Sequence, residues 1–299
     1  MVGPPRARSG GRVAVVSDNG AGQDGDWLGR GREARQGLGQ TWGALADVCA
    51  DLSDAQWARP TECPGWDVKD QLSHLIGIER AIMGEGVPEW REPLGDHVKN
   101  DFAATNEPFV AVRRARSGRA IREEFVEVTT TRLAQLDALS AAEWAAPGWS
   151  PVGEVPRAEF MVVRVYDSWV HEQDVRHALG RPGGGGNVAS SLSLDRVQGA
   201  MPFVVGKKAG CPDGTAVRFD VAGPGDDARA FTIAVEGGRA RPVGDEVTPA
   251  VTLSLSSVDF VRLGCGRATS AQVEAAGGVV VEGDAQVGRT VLGAMNFMF

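Results

Sequence analysis

Apolar residues recur at steps of three and four through most of the first 180 positions, the spacing of one buried helix face. Leu38, Trp42, Leu45, Val48 and Leu52 form the first such stripe, in a helix predicted from about Leu28. TECPGW (61–66) follows, with Pro-Gly as a turn signal. Asp67 then stands where an N-cap belongs, and Asp70 lies in the first turn after it. Val68, Leu72, Leu75, Ile76, Glu79 and Met83 carry helical spacing on to Gly84. The stretch containing Pro88, Pro93 and Pro108 reads as loop, with some helix after Asp96. Ile121, Phe125, Val128, Leu133, Leu136 and Leu139 predict a helix over 119–139. Residues 146–156 read as loop, and 157–179 as a last long helix stopped by RPGGGGN (181–187). Four long amphipathic helices with uneven loops predict an all-α four-helix bundle over 27–180.

Beyond residue 187 the pattern changes. Residues 190–205 are compatible with helix, whereas 216–222 and 229–236 alternate like half-buried strands across a GPGDD turn. Residues 251–255 and 279–282 predict two more strands, 258–263 and 270–276 short helices, and 286–298 a terminal helix. That order predicts an α+β domain over 188–299, with 181–187 as a Gly-rich hinge.

Composition sharpens this boundary. All eight Trp and the single Tyr, Tyr166, lie before residue 170, while Phe continues to the last position. Glycine supplies 40 of 299 residues, part of the excess falling in 1–26, which has no periodicity and reads as a disordered leader. Hydrophobic residues make up 42%, enough for a substantial core. The net charge of −8 is spread over both halves, which argues against a nucleic-acid partner. No apolar run approaches the roughly 18–20 residues of a membrane span, and VAVV (13–16) is too short for a signal-peptide core. A soluble cytoplasmic protein is expected. Cys49, Cys63, Cys211 and Cys265 lie far apart with no CxxC pair, which argues against a zinc knuckle or disulfide scaffold. They read as reduced packing residues, with Cys63 in its turn the one to watch.

Only four histidines occur, so each position is informative. Asp167 and His171 stand four apart in the last long helix and project from one face. Such a pair can supply two neighbouring vertices of a metal polyhedron, and His74, in another periodic helix, is the natural third donor. Two imidazoles and one carboxylate would leave a position open, as catalytic sites do. Asp174 falls on the same face as Asp167 and His171 and is placed to accept from an imidazole N–H. By spacing alone, a local ion pair and a satisfied core histidine are the commoner readings. His97 and His177 lie near loop edges and are assigned to solvent. HEQD (171–174) is not HExxH, and no nucleophile elbow, P-loop or dinucleotide fingerprint is present.

TECPGWDVKDQLSHLIGIE (61–79) resembles the second-helix signature of the DinB-like, mycothiol-dependent maleylpyruvate isomerase N-terminal family. VYDSWVHEQDVRHALGRP (165–182) resembles that family's last bundle helix, with an acidic residue four before His and Asp three after it. The resemblance implies a divalent metal, usually zinc, on His74, Asp167 and His171, with Asp174 behind them. The family usually has Glu where this chain has Asp167, which is one methylene shorter. VTLSLSSVDFVRLGCGRATSAQ (251–272) and VVVEGDAQVGRTVL (279–292) resemble the sterol-carrier-protein-like C-terminal domain found in this superfamily. The resemblances together imply an enzyme that activates a low-molecular-weight thiol, mycothiol, for addition or transfer to an electrophilic small molecule, as isomerase or S-transferase. Arg267 would cross from the second domain to bind a substrate carboxylate, or else pair with a surface acid. Arg262 reads as structural, and Trp66 and Trp169 as cavity wall or core. Two other readings stand beside this one: a non-enzymatic small-molecule or lipid-binding protein with a vestigial metal site, and a metal-dependent hydrolase.

Overall fold

The computed structural model describes residues 25–151 and 153–298. The first 24 positions of the expected leader lie outside the described residues. Within them the N-terminal part is helical and the C-terminal part carries a five-stranded sheet. The chain runs α1 (Trp27–Val48), α2 (Asp54–Trp57), α3 (Val68–Arg80), α4 (Asp101–Ala111), α5 (Gly118–Asp137) and α6 (Ala141–Ala145). A hairpin of β1 (Pro147–Ser150) and β2 (Gly153–Pro156) leads into α7 (Arg157–Leu179) and α8 (Val188–Phe203). The sheet contains β3 (Ala216–Ala222), β4 (Arg229–Glu236), β5 (Arg239–Val243), β6 (Val251–Ser256) and β7 (Val279–Gly283). Three helices complete the chain: α9 (Ser257–Gly264) and α10 (Ser270–Ala275) between β6 and β7, and α11 (Ala285–Ala294) at the end.

Local chemistry sets the ends of the helices that matter most. Asp67 accepts from the Asp70 N–H at 2.8 Å and Asp70 accepts from the Asp67 N–H at 3.3 Å, a reciprocal cap that starts α3. Past Arg80 the helix widens into a π-turn over Ala81–Glu85. Gly180 ends α7 at φ +65°, a left-handed position natural to glycine. There the Arg181 N–H reaches back to Arg176 C=O and the Gly180 N–H to His177 C=O.

Helices α1, α3, α5 and α7 pack on one another through Leu38, Trp42, Leu72, Ile76, Phe125 and Val165. Trp42 also donates its indole N–H to Ser168 Oγ at 3.0 Å, tying α1 to α7. α8, which lies after the Gly-rich segment, packs back on both α1 and α7. That segment is tied down: Asp227 accepts from the Gly186 N–H at 2.8 Å and from Ser190 Oγ at 2.6 Å. Trp169 donates its indole N–H to Gly184 C=O at 2.7 Å.

The sheet order is β5-β4-β3-β6-β7, with β3 and β6 parallel and the other pairs antiparallel. Phe219 faces Phe231 across β3 and β4 with stacked rings 5.0 Å apart, and Phe260 of α9 meets both edge-on. Phenylalanine therefore does here what tryptophan does in the helical part.

Three segments depart from the sequence reading. Residues 146–156, read as loop, contain β1 and β2; their short strands alternate no apolar residues and show mostly exposed positions. β5 was not anticipated because it is an edge strand of sequence RARPV, charged and proline-bearing, as edges that discourage further pairing are. The terminal helix stops at Ala294, because the chain peels away to let the Phe297 N–H bond Gly264 C=O at 3.1 Å. Among the described residues no helix is long and apolar enough to cross a membrane.

Gly77, one turn after His74, lies against Phe109 of α4, and a Cβ there would overlap the Phe109 Cβ and ring. Gly77→Ala is expected to cost a net ~1–2 kcal/mol despite the better helix propensity of alanine. Urea denaturation would show the loss as a lower midpoint.

Candidate metal centre

His74 projects from the buried face of α3 toward α7, where Asp167 and His171 stand one turn apart. The three side chains each offer a ligand atom, and these atoms lie within 4.8 Å of one another. His74 Nε2 is 3.4 Å from Asp167 Oδ2, and His171 Nε2 is 3.6 Å from Oδ1. Zinc bonds of about 2.0–2.1 Å at the tetrahedral angle place ligand atoms about 3.3–3.4 Å apart, so each imidazole stands at about such a distance from the carboxylate, facing a different one of its oxygens. The imidazoles meet edge to face with centroids 4.7 Å apart. Both ring nitrogens of His74 are buried and have no hydrogen-bond partner. An orphaned buried nitrogen beside a carboxylate and a second imidazole suits a cation's ligand better than a settled core histidine, for which lost hydrogen bonds would cost about 1–3 kcal/mol each.

The protein fixes the tautomer of His171. Its Nδ1 lies 2.5 Å from Gln71 Oε1 and 3.3 Å from Asp174 Oδ2, both acceptors, so Nδ1 carries a proton and Nε2 is the nitrogen that faces Asp167. Asp174 stands where its spacing suggested, but Gln71 is nearer. Gln71 was not singled out in the sequence, although it lies three residues before His74 and so on the same helix face.

Charge is balanced behind the ligands. Arg164 donates from Nη1 to Asp167 Oδ2 at 2.6 Å and from Nε to Glu79 Oε1 at 2.8 Å. Arg132 holds the other oxygen of Glu79 at 3.1 Å, and Glu79 is fully buried. Burial would raise the pKa of Asp167, but Arg164, His74 and His171 hold it well below the usual carboxylate range. Burial pushes His74 down to about 4, against the pull of Asp167. Burial also acts to lower His171, yet its bonds to Asp167 and Asp174 raise it above the ordinary value.

Other residues singled out from the sequence fall around this group. Trp66 is buried with its ring 5.0 Å from that of His74 and 5.9 Å from that of His171, a wall of the site. Trp169 is core. Arg267 does reach across from the C-terminal part, but the carboxylate it holds is that of Asp174: Nε donates at 2.9 Å and Nη2 at 3.0 Å. Arg262 joins Glu62 at 2.9 Å and Asp259 at 2.8 Å, a structural pairing between the two parts. Cys63 is partly buried, and burial pushes its thiol up to about 12 although Arg267 acts to lower it. His177 is half exposed, as expected. His97 is not a solvent histidine: its Nε2 lies 2.9 Å from buried Glu107, which also accepts from the Trp66 indole at 2.9 Å. The chain folds back over the CPGW turn, which position along the sequence could not show. A broad groove of about 770 Å³ at the end of β3 and β6 lies apart from these ligands and shares none of them.

The fold and the site define a two-part chain, a helical domain holding a buried His–Asp–His cluster followed by a domain with a sheet. Residues 38–176 match the mycothiol maleylpyruvate isomerase N-terminal domain, and residues 191–289 match the C-terminal domain of the same family. The chain belongs to the mycothiol-dependent maleylpyruvate isomerase family. Among solved structures it is similar to a mycothiol-dependent maleylpyruvate isomerase, at 17% identity over 86% of this chain and 92% of that one, with a TM-score of 0.47. A histidine-to-alanine mutant of such an isomerase is similar at 18% identity over the same shares, with a TM-score of 0.46. No curated protein matches.

For the metal-free protein, NMR titration is expected to show the His74 imidazole neutral until about pH 4 and His171 protonating above its ordinary value. Because His74 is depressed in the folded state, the unfolded chain takes up its proton first as pH falls. The stability linked to His74 is thus full above about pH 6.5 and is lost toward pH 4, up to about 3 kcal/mol. His171 works in the opposite sense, its contribution present at low pH and lost as pH rises through its folded pKa. His74→Gln should flatten the acid limb between pH 6.5 and 4; an unchanged limb in denaturation curves would count against this assignment.

Proposed function

We propose that this protein is a thiol-dependent enzyme of small-molecule chemistry whose site is built on a divalent cation, zinc, held by His74, Asp167 and His171. The observation that carries this reading is the buried His74 Nε2, which makes no hydrogen bond and stands 3.4 Å from Asp167, with His171 Nε2 turned to the same carboxylate. Family membership supports the rest, since both matching domain models are those of mycothiol maleylpyruvate isomerase. In this reading residues 27–180 form a DinB-like four-helix bundle and 188–299 a sterol-carrier-protein-like domain, joined by the hinge 181–187.

When bound, a cation held by two neutral imidazoles and one carboxylate keeps positive charge and so favours thiolate over thiol in a neighbouring low-molecular-weight thiol such as mycothiol. The chain's own residues prepare the place. Gln71 and Asp174 keep the His171 proton on Nδ1, away from the site. Trp66 excludes water from one side, where low dielectric strengthens every charge. Arg267, now on Asp174, is the group for which a substrate carboxylate would compete. Cis–trans isomerisation of a conjugated acid returns the thiol unchanged, and S-transfer leaves it in the product. Isomerisation is the form the family supports.

The test combines metal analysis with activity. Protein purified without chelator is expected to contain a divalent ion and to isomerise maleylpyruvate only when mycothiol is added. His74→Ala should lose both the ion and at least a hundredfold of the rate. Full thiol-dependent activity in an ion-free His74→Ala protein would overturn the proposal.

A further inference from the structure

We propose that Arg164, anchored from behind by Glu79, is a positioning residue for the cation site: it grips Asp167 by Oδ2 and so restricts this short ligand to one orientation and a single ligating oxygen. The inference rests on the metal-site reading above and deepens it. Beyond χ1, the plane of an aspartate carboxylate is set by χ2, a broad and soft rotation that by itself leaves the plane poorly defined. In the structure that plane is held by the 2.6 Å bond from Arg164 Nη1. Arg164 is itself almost fully buried and fixed by its Nε on Glu79 Oε1 at 2.8 Å. Glu79 is fixed in turn by Arg132 Nε at 3.1 Å, so three elements, α7, α3 and α5, converge on one carboxylate.

Two features show that this relay serves the ligand and does not merely fill the core. First, the buried Nη2 of Arg164 has no partner, so the side chain is not placed for the greatest number of hydrogen bonds. Its two bonds go to the carboxylate facing the imidazoles and to the carboxylate that anchors it. Second, Asp167 is the most open of the three ligand residues, with 28% of its side chain exposed against 4% for His74 and 7% for His171. His74 is held by close packing and His171 by Gln71 and Asp174, whereas the more open Asp167 relies on Arg164. The guanidinium also offsets the carboxylate charge, leaving more of the cation's field for an anion at the open position. Occupying Oδ2 disfavours two-oxygen chelation, the mode that suits large cations of high coordination number, and favours a small four-coordinate ion.

The test measures metal binding and cobalt spectra on the full chain, independently of catalysis. Wild-type protein is expected to bind zinc, and cobalt in its place with the intense visible absorption of four-coordination. Arg164→Met should bind zinc about 10–100-fold more weakly and show a weaker cobalt band, as when partners behind a ligand are removed. Arg164→Lys, which keeps the charge but cannot bridge both carboxylates, should recover only part of either signal. A role in folding alone would lower thermal stability and leave the cobalt spectrum unchanged. If Arg164→Met does not fold, Glu79→Gln preserves volume and should shift affinity and spectrum in the same direction by less. Zinc affinity within twofold of wild type and an unaltered cobalt spectrum in a folded variant would overturn the proposal. Wild-type protein that binds neither metal would instead overturn the metal-site reading itself.

Discussion

A carboxylate and two imidazoles placed between α3 and α7, inside an otherwise apolar helical core, are the constraint around which this protein is arranged. Polar groups taken out of water must be paired, and each residue added to pair them must be paired as well. From Asp167 the pairing runs through Arg164 to Glu79 and Arg132, reaching α5. From His171 it runs through Asp174 to Arg267, reaching the C-terminal part. His74 makes no hydrogen bond through either nitrogen and faces only Asp167, and that asymmetry gives the cluster its chemical character.

The same logic explains how the two parts of the chain are joined. Arg267 holds Asp174, Arg262 holds Glu62 next to the CPGW turn, and Tyr166 OH lies 2.9 Å from Cys265 Sγ. Each contact reaches a residue close in sequence to a site residue, so the C-terminal part buttresses the candidate centre along one side. α8 seals the seam by packing on α1 and α7, and Asp227 pins the Gly-rich segment that leads into it. On the other side the His97–Glu107 pair does comparable work, holding the Trp66 indole against both imidazoles.

Much of this was legible along the chain, for identifiable reasons. Helices α1, α3, α5 and α7 each carry an apolar stripe long enough to fix the 3.6-residue period, and Asp67 with Asp70 marks a start that needs no tertiary information. β3, β4 and β6 alternate because one face of each is buried. β5 and the β1–β2 hairpin escaped notice because they sit at an edge or in solvent, where nothing forces an apolar period. His97 is not legible from its sequence neighbours, which are loop residues, because its partner Glu107 lies on another element.

The sequence by itself determined which side chains share a helix face, because that follows from the pitch of the helix: Asp167, His171 and Asp174 on α7, and His74 on α3. Membership of the family followed from the same stretches. Only the tertiary structure decided which faces meet, and therefore what each polar group does. It put Gln71 rather than Asp174 nearest to His171, gave Arg267 to Asp174, and set Glu79 behind Arg164. Helical pitch is a local property of the backbone, whereas a hydrogen-bond partner more than eighty residues away is selected by the packing of the whole core.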